Sequence, residues 1–100
     1  MDIRAIKKAL MQGKIRLTSH VLLRMEKRGY TKRDLIACIM SGEKTDTQIY
    51  KNRVSVIIEG VDTDGLPMVL VIGNDFSKQT KYALVTAMPP INKKRFKQVI

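Results

Sequence analysis

A histidine and three cations recur along one short stretch of this chain: His20, Arg24, Lys27 and Arg28, at positions i, i+4, i+7 and i+8. On a helix turning about 100° per residue, these four side chains fall within one arc of roughly 100°. Val21, Leu22 and Met25 fall on an adjacent arc. A helix here can therefore bury one side and present an imidazole with cations on the other. That set suits RNA cleavage. A base must take the proton of the ribose 2′-hydroxyl, an acid must protonate the leaving 5′-oxygen, and cations must stabilise the pentacoordinate phosphate. A histidine can serve as base or acid, and arginine clamps phosphate through two parallel hydrogen bonds. Charges at helical spacing are also the ordinary solvated face of an amphipathic helix. The arc by itself leaves both possibilities open.

Two further clusters carry charge. Tyr50, Lys51 and Arg53 set a tyrosine beside cations, where it can stack on a base or donate to phosphate; the same residues also read as a hairpin turning at Lys51-Asn52. The run Lys93, Lys94 and Arg95, followed by Lys97, reads as a phosphate-contacting patch or as the solvated face of a terminal helix. There is no phosphate-cradling glycine-rich loop and no nucleophile elbow, and His20 is the sole histidine. One His and one Cys with scattered carboxylates make no ligand cluster, so neither a metal nor another cofactor is expected. The stretch from His20 to Met40 has the spacing of a helix-turn-helix, but its second helix carries Leu35, Ile36, Ile39 and Met40 where base-reading polar residues would stand. RNA is favoured over DNA.

Charge points the same way. Nineteen Lys and Arg against nine Asp and Glu give a net charge of +10 over 100 residues. A field of that sign concentrates polyanions at the surface, RNA first, with anionic membrane or an acidic protein as competing partners. Apolar residues make up 44% of the chain, enough for one packed core, so residues 1–100 are expected to form a single domain. Cys38 is the sole cysteine, so no intrachain disulfide forms. No run approaches the roughly twenty apolar residues of a membrane span. The cytoplasm is the expected compartment, with no membrane partner.

The elements that would position these groups segregate into a helical first part and a strand-rich second part, which predicts an α+β fold. A first helix is expected over 3–12, capped by Asp2 and ended by Gly13, with Ile15 to Thr18 as a connector. A second is expected over 19–27, capped by Thr18 or Ser19 and stopped by Gly29. A third opens on Thr31-Lys32-Arg33-Asp34, a capping box with Asp in place of Glu, buries Leu35, Ile36, Ile39 and Met40 with Cys38 near that stripe, and ends at Gly42. Strands are expected over 47–50, 53–59, 68–72 and 81–87, in an antiparallel meander of three or four, with a turn at Asp62-Thr63-Asp64-Gly65. A short basic C-terminal helix, capped by Asn92, is expected to follow Pro89-Pro90.

The segment Thr18 to Thr31, continuing through Asp34-Leu35 to Ser41-Gly42-Glu43, resembles an uncharacterised bacterial and archaeal group, domain-of-unknown-function family 4258. Its pattern is a His-x-x-x-Arg-Met-x-x-Arg-Gly helix, a second helix ending in Gly-Glu, a tyrosine soon after, and a late strand ending in threonine and proline, as in Val85-Thr86-Ala87-Met88-Pro89. The family is similar to the RelE and MqsR ribonucleases, toxins of toxin–antitoxin pairs, and the opening Ile6-Lys7-Lys8 to Thr18 also resembles MqsR-like proteins. The resemblance implies N-terminal helices on a curved antiparallel sheet and metal-independent cleavage of mRNA. It further implies inhibition by a cognate antitoxin, often one with a small zinc-binding domain, and the ribosome is a further candidate partner. Carried over, the site residues are His20, Arg24, Arg28, Tyr50 and Thr86. In that scheme Arg24 and Arg28 hold phosphate, His20 transfers a proton, and Tyr50 positions base or nucleophile. Lys27, Lys51, Arg53 and Lys81 would contact RNA, as would Thr86, Lys93, Lys94 and Arg95. The chain departs from the family after Val69, where a second histidine is absent. Tyr50 or a lysine such as Lys81 would then have to supply the second proton-transfer group. The alternative is a non-catalytic RNA-binding or protein-interaction module.

Overall fold

A computed structural model describes residues 1–50, 52–75 and 79–90, with Tyr50 described by its backbone alone. The chain runs α1 (Ile3–Met11), β1 (Ile15–Leu17), α2 (Ser19–Arg28), α3 (Lys32–Ser41), β2 (Glu43–Tyr50), β3 (Arg53–Val61), β4 (Pro67–Asn74) and β5 (Tyr82–Met88). The helix signals in the sequence act where they stand. The Asp2 carboxylate accepts from the Arg4 amide at 3.1 Å. Thr18 caps α2, and Gly29 stops it in the left-handed region at φ 72°. At α3 the Thr31 amide donates to Asp34 Oδ2 at 2.8 Å and the Asp34 amide donates to Thr31 Oγ1 at 3.2 Å, which completes the capping box.

The sheet differs from the expected meander. Among the described residues it has five strands in the order β1-β5-β4-β3-β2, and it is mixed. β2, β3, β4 and β5 pair antiparallel in sequence, but β1 lies parallel to β5, with Ile15 opposite Tyr82 and Leu17 opposite Leu84. The prediction of three or four antiparallel strands is therefore corrected. The Ile15–Leu17 connector is a strand because β5, arriving some sixty-five residues later, offers it an edge. Three residues show no periodicity of their own, and a parallel partner must come from a distant crossover. β2 also starts earlier than expected, at Glu43, because a strand at the rim of a sheet tolerates the polar run Glu43-Lys44-Thr45-Asp46. Its register against β3 slips between Lys44 and Asp46. The expected helix after Asn92 lies outside the described residues.

The helices α1, α2 and α3 all contribute to the core on one face of the sheet. Ile6 of α1, Val21 and Met25 of α2, and Leu35, Cys38 and Ile39 of α3 pack on Val56, Ile58, Leu70, Ile72 and Leu84. The stripe expected on α3 is corrected. Leu35 and Ile39 are buried, with Cys38 beside them, but Ile36 and Met40 are about half exposed and Asp34 turns inward. Leu22 is likewise exposed rather than buried on α2. On the opposite face, Ile57, Val69 and Val71 form a smaller buried cluster with Met88. Among the described residues, no helix is long and apolar enough to cross a membrane.

Candidate functional site

The placement of α2 begins with a strand that stops early. β1 pairs with β5 only as far as Leu84, whereas β5 continues to Met88. Beyond Leu84 no strand among the described residues lies beside β5 on that side, and α2 packs along it instead. Thr18 makes the join. Its amide donates to the Leu84 carbonyl at 3.3 Å, its hydroxyl donates to the same carbonyl at 2.9 Å, and that hydroxyl accepts from the Val21 amide at 3.1 Å. Ten residues on, Arg28 Nη1 donates to the Ala87 carbonyl at 2.6 Å. The helix is thus pinned to β5 at both ends by polar side chains, with Val21 and Met25 buried between the pins.

This pinning sets the direction of the charged arc. With Val21 facing inward, Arg24 lies about 60° and His20 about 100° round the helix from it. Arg24 is accordingly half-buried, while His20, Lys27 and Arg28 are exposed. Among the described residues, His20, Arg24 and Lys27 make no hydrogen bond or ion pair. Arg28 commits one nitrogen to Ala87 and keeps its remaining N–H groups. Alongside, β5 carries a bulge. Val71 is opposite Thr86 and Ile72 is opposite Leu84, which leaves Val85 without a partner and partly exposed.

The other predicted residues are not gathered here. Tyr50 ends β2, three strands away from β5, on the order of 14 Å across the sheet. Arg53 faces it across the hairpin and is exposed. Thr86 pairs with Val71, whose side chain belongs to the cluster on the face opposite the helices, so Thr86 points away from α2. Lys81 is exposed just before β5, at the end of that strand remote from Arg28. Lys51, Lys93, Lys94 and Arg95 lie outside the described residues. The arc on α2 is therefore the one part of the predicted site that the described fold assembles.

A second feature adjoins it. Where α2 ends and α3 begins, an open cleft of about 600 Å³ lies between Arg28, Tyr30, Asp62, Asp64, Leu66 and Pro89. Asp34 forms its floor and is buried. Oδ2 accepts from Thr31, and Oδ1 accepts from the Thr63 amide at 3.1 Å and the Thr63 hydroxyl at 2.6 Å. These bonds, the Thr63 hydroxyl foremost, hold the Asp34 carboxyl down at about 2. Asp62 Oδ1 accepts from the Asp64 and Leu66 amides, both at 2.9 Å, and so shapes the turn. Burial pushes the Tyr30 phenol up, although Arg28 works against it. The sequence marks Asp62 to Gly65 only as a turn. The capping aspartate three residues after Thr31 is the signal that could have tied that turn to α3, since its second oxygen was left without a local partner.

Cys38 is buried, and burial pushes its thiol up to about 11, which leaves it a packing residue and not a nucleophile. Among the described residues, no group of three or more His, Cys, Asp or Glu side chains is placed to hold a metal ion. Compared with known proteins, residues 17–89 match the family model described as a domain of unknown function (DUF4258). No curated protein and no solved structure matches the chain.

Proposed function

We propose that this chain, which belongs to the DUF4258 family, is a metal-independent endoribonuclease acting on mRNA in the cytoplasm, the toxin of a type II toxin–antitoxin pair. The observation that carries the reading is the unpartnered, water-facing His20 on the same helix arc as Arg24 and Arg28. The net charge of +10 supports a polyanionic substrate. In this reading Arg24 and the free N–H groups of Arg28 hold the scissile phosphate, and His20 takes the proton from the 2′-hydroxyl. The 2′-oxygen bonds to phosphorus as the bond to the 5′-oxygen breaks, giving a 2′,3′-cyclic phosphate and a 5′-hydroxyl. An in-line displacement puts the leaving oxygen on the side away from the base. With Tyr50 three strands off, that oxygen draws its proton from solvent. An antitoxin and the ribosome are the protein partners this reading brings with it.

The test is incubation of the pure protein with single-stranded RNA in chelator. The expected result is cleavage that leaves cyclic phosphate ends and disappears when the ribose carries no 2′-hydroxyl. Intact RNA after long incubation at high protein concentration would rule out catalysis. The second reading, an RNA-binding module without catalysis, is favoured by two observations: Tyr50 stands apart from His20, and Arg28 already serves the Ala87 carbonyl. Binding that weakens steeply with salt while the RNA stays whole is its expected signature.

A further inference from the structure

We propose that the cleft beside Arg28 is a guanine-reading subsite, which takes one splayed-out base of a single-stranded RNA whose phosphates lie along α2; this rests on the RNA-directed function above. Its volume, about 600 Å³, is in the range of sites that enclose small ligands. It opens at the C-terminal end of α2, so Arg28 borders both the charged arc and the cleft. A nucleotide held by its phosphate on the arc can therefore turn its base into the cleft.

The polar groups of the cleft are of opposite kinds, and guanine is the base that needs both. Arg28 supplies donors. The bond from Nη1 to the Ala87 carbonyl orients the guanidinium and leaves Nε and Nη2 for two adjacent acceptors, which O6 and N7 of guanine provide. Asp64 supplies acceptors, and among the described residues its carboxylate has no partner. Of the four bases, guanine alone sets two donors side by side on its Watson–Crick edge, N1–H and the N2 amine, matching the two oxygens of a carboxylate. The turn bearing Asp64 is held by the bonds to Asp62 and by Gly65 at φ 79°. Tyr30, half-buried with its ring packed against the core, offers an aromatic edge and a protonated hydroxyl, and Leu66 and Pro89 give apolar walls. The carboxylates repel phosphate, so the backbone stays on the arc while the uncharged base enters. A basic peptide would satisfy the carboxylates but would turn its cations toward the free donors of Arg28, which is why a base is preferred as the occupant.

The experiment compares single-stranded heptamers of uridine whose central residue is uridine, adenosine, guanosine or inosine, by fluorescence anisotropy. The guanosine heptamer should bind tighter than the uridine and adenosine ones by on the order of tenfold. Inosine, which lacks the N2 amine, should lose most of that gain. Asp64→Asn should remove the guanosine preference without weakening the binding of the uridine heptamer. In the unaltered protein, guanosine monophosphate should shift the backbone amide signals of Gly29, Tyr30 and Leu66, and adenosine monophosphate should not. Equal affinity for all four heptamers, or a guanosine preference that survives in Asp64→Asn, overturns the subsite while leaving RNA binding on α2 intact. Binding of none of the heptamers overturns the RNA-directed function as well. Amide shifts produced by an oligolysine peptide but not by guanosine monophosphate assign the cleft to a protein partner and overturn the subsite.

Discussion

The two flanks of the sheet receive their helices by different means. On the β3 side, α3 comes in backbone-close. A Cβ on Gly60 would run into the carbonyl oxygen of Cys38, and one on Gly42 would stand 2.7 Å from Ile58 Cγ2. On the β5 side, α2 is held by the hydroxyl of Thr18 and the guanidinium of Arg28. The first contact is set by close backbone approach, with the Ser41 hydroxyl accepting from the Val61 amide at 3.0 Å at its edge. The second joins helix to strand through the polar side chains of Thr18 and Arg28, and its helix carries the exposed His20 and Lys27 beside the half-buried Arg24. The closest backbone approach and the charged arc thus lie on opposite flanks, so variants at Gly60 and at His20 probe them separately.

The largest effect expected concerns the β5 flank. His20→Ala should lower RNA cleavage by roughly 100-fold or more, the contribution of a positioned proton-transfer group, while the melting temperature stays put because His20 is exposed and unpartnered. Full cleavage by this variant would move the active group elsewhere. On the β3 flank, Gly60→Ala should cost roughly 1 to 3 kcal/mol, since the added methyl meets a backbone carbonyl and cannot be accommodated by a rotamer change. Urea unfolding measures the cost, and activity per folded molecule should be unchanged.

Asp34 joins the two flanks, because it caps α3 and tethers the turn that borders the cleft. Asp34→Ala should cost about 2 kcal/mol from the lost cap and tether. The pH dependence has a definite sign. The folded carboxyl is lowered from 3.8 to about 2, so its contribution is fully present above pH 3.8 and is lost as pH falls toward about 2. Stability against pH in that window should flatten in Asp34→Asn, and an acid limb as steep as in the parent would show that other carboxyls produce it. The smallest effect is expected from Thr18→Ala, about 1 kcal/mol for the lost cap. Any accompanying loss of cleavage would show that the join to Leu84 positions His20.

Local signals reported local structure well. Asp2, Thr18, Thr31 and Gly29 mark helix ends because caps act within a turn of where they stand. The β-branched runs through Val56 and Leu70 are strands because short continuous stretches of such side chains suit the buried middle of a sheet. The arc from His20 to Arg28 was legible for the same reason, since helical spacing decides which side chains share a face. Three kinds of fact depend instead on residues far apart in sequence. Ile15–Leu17 is a strand only because β5 arrives beside it, and Ile36 is exposed only because the helix turns Asp34 and Cys38 inward. Tyr50 is remote from His20 only because β2 is added at the far rim of the sheet, and the Arg28 contact with Ala87 exists only because β1 stops at Leu84, four residues before β5 ends. Periodicity and capping are properties of neighbours along the chain. Strand order, and with it which charged groups meet across a cleft, is settled by which surfaces bury the most apolar area together, a choice made by the whole chain at once.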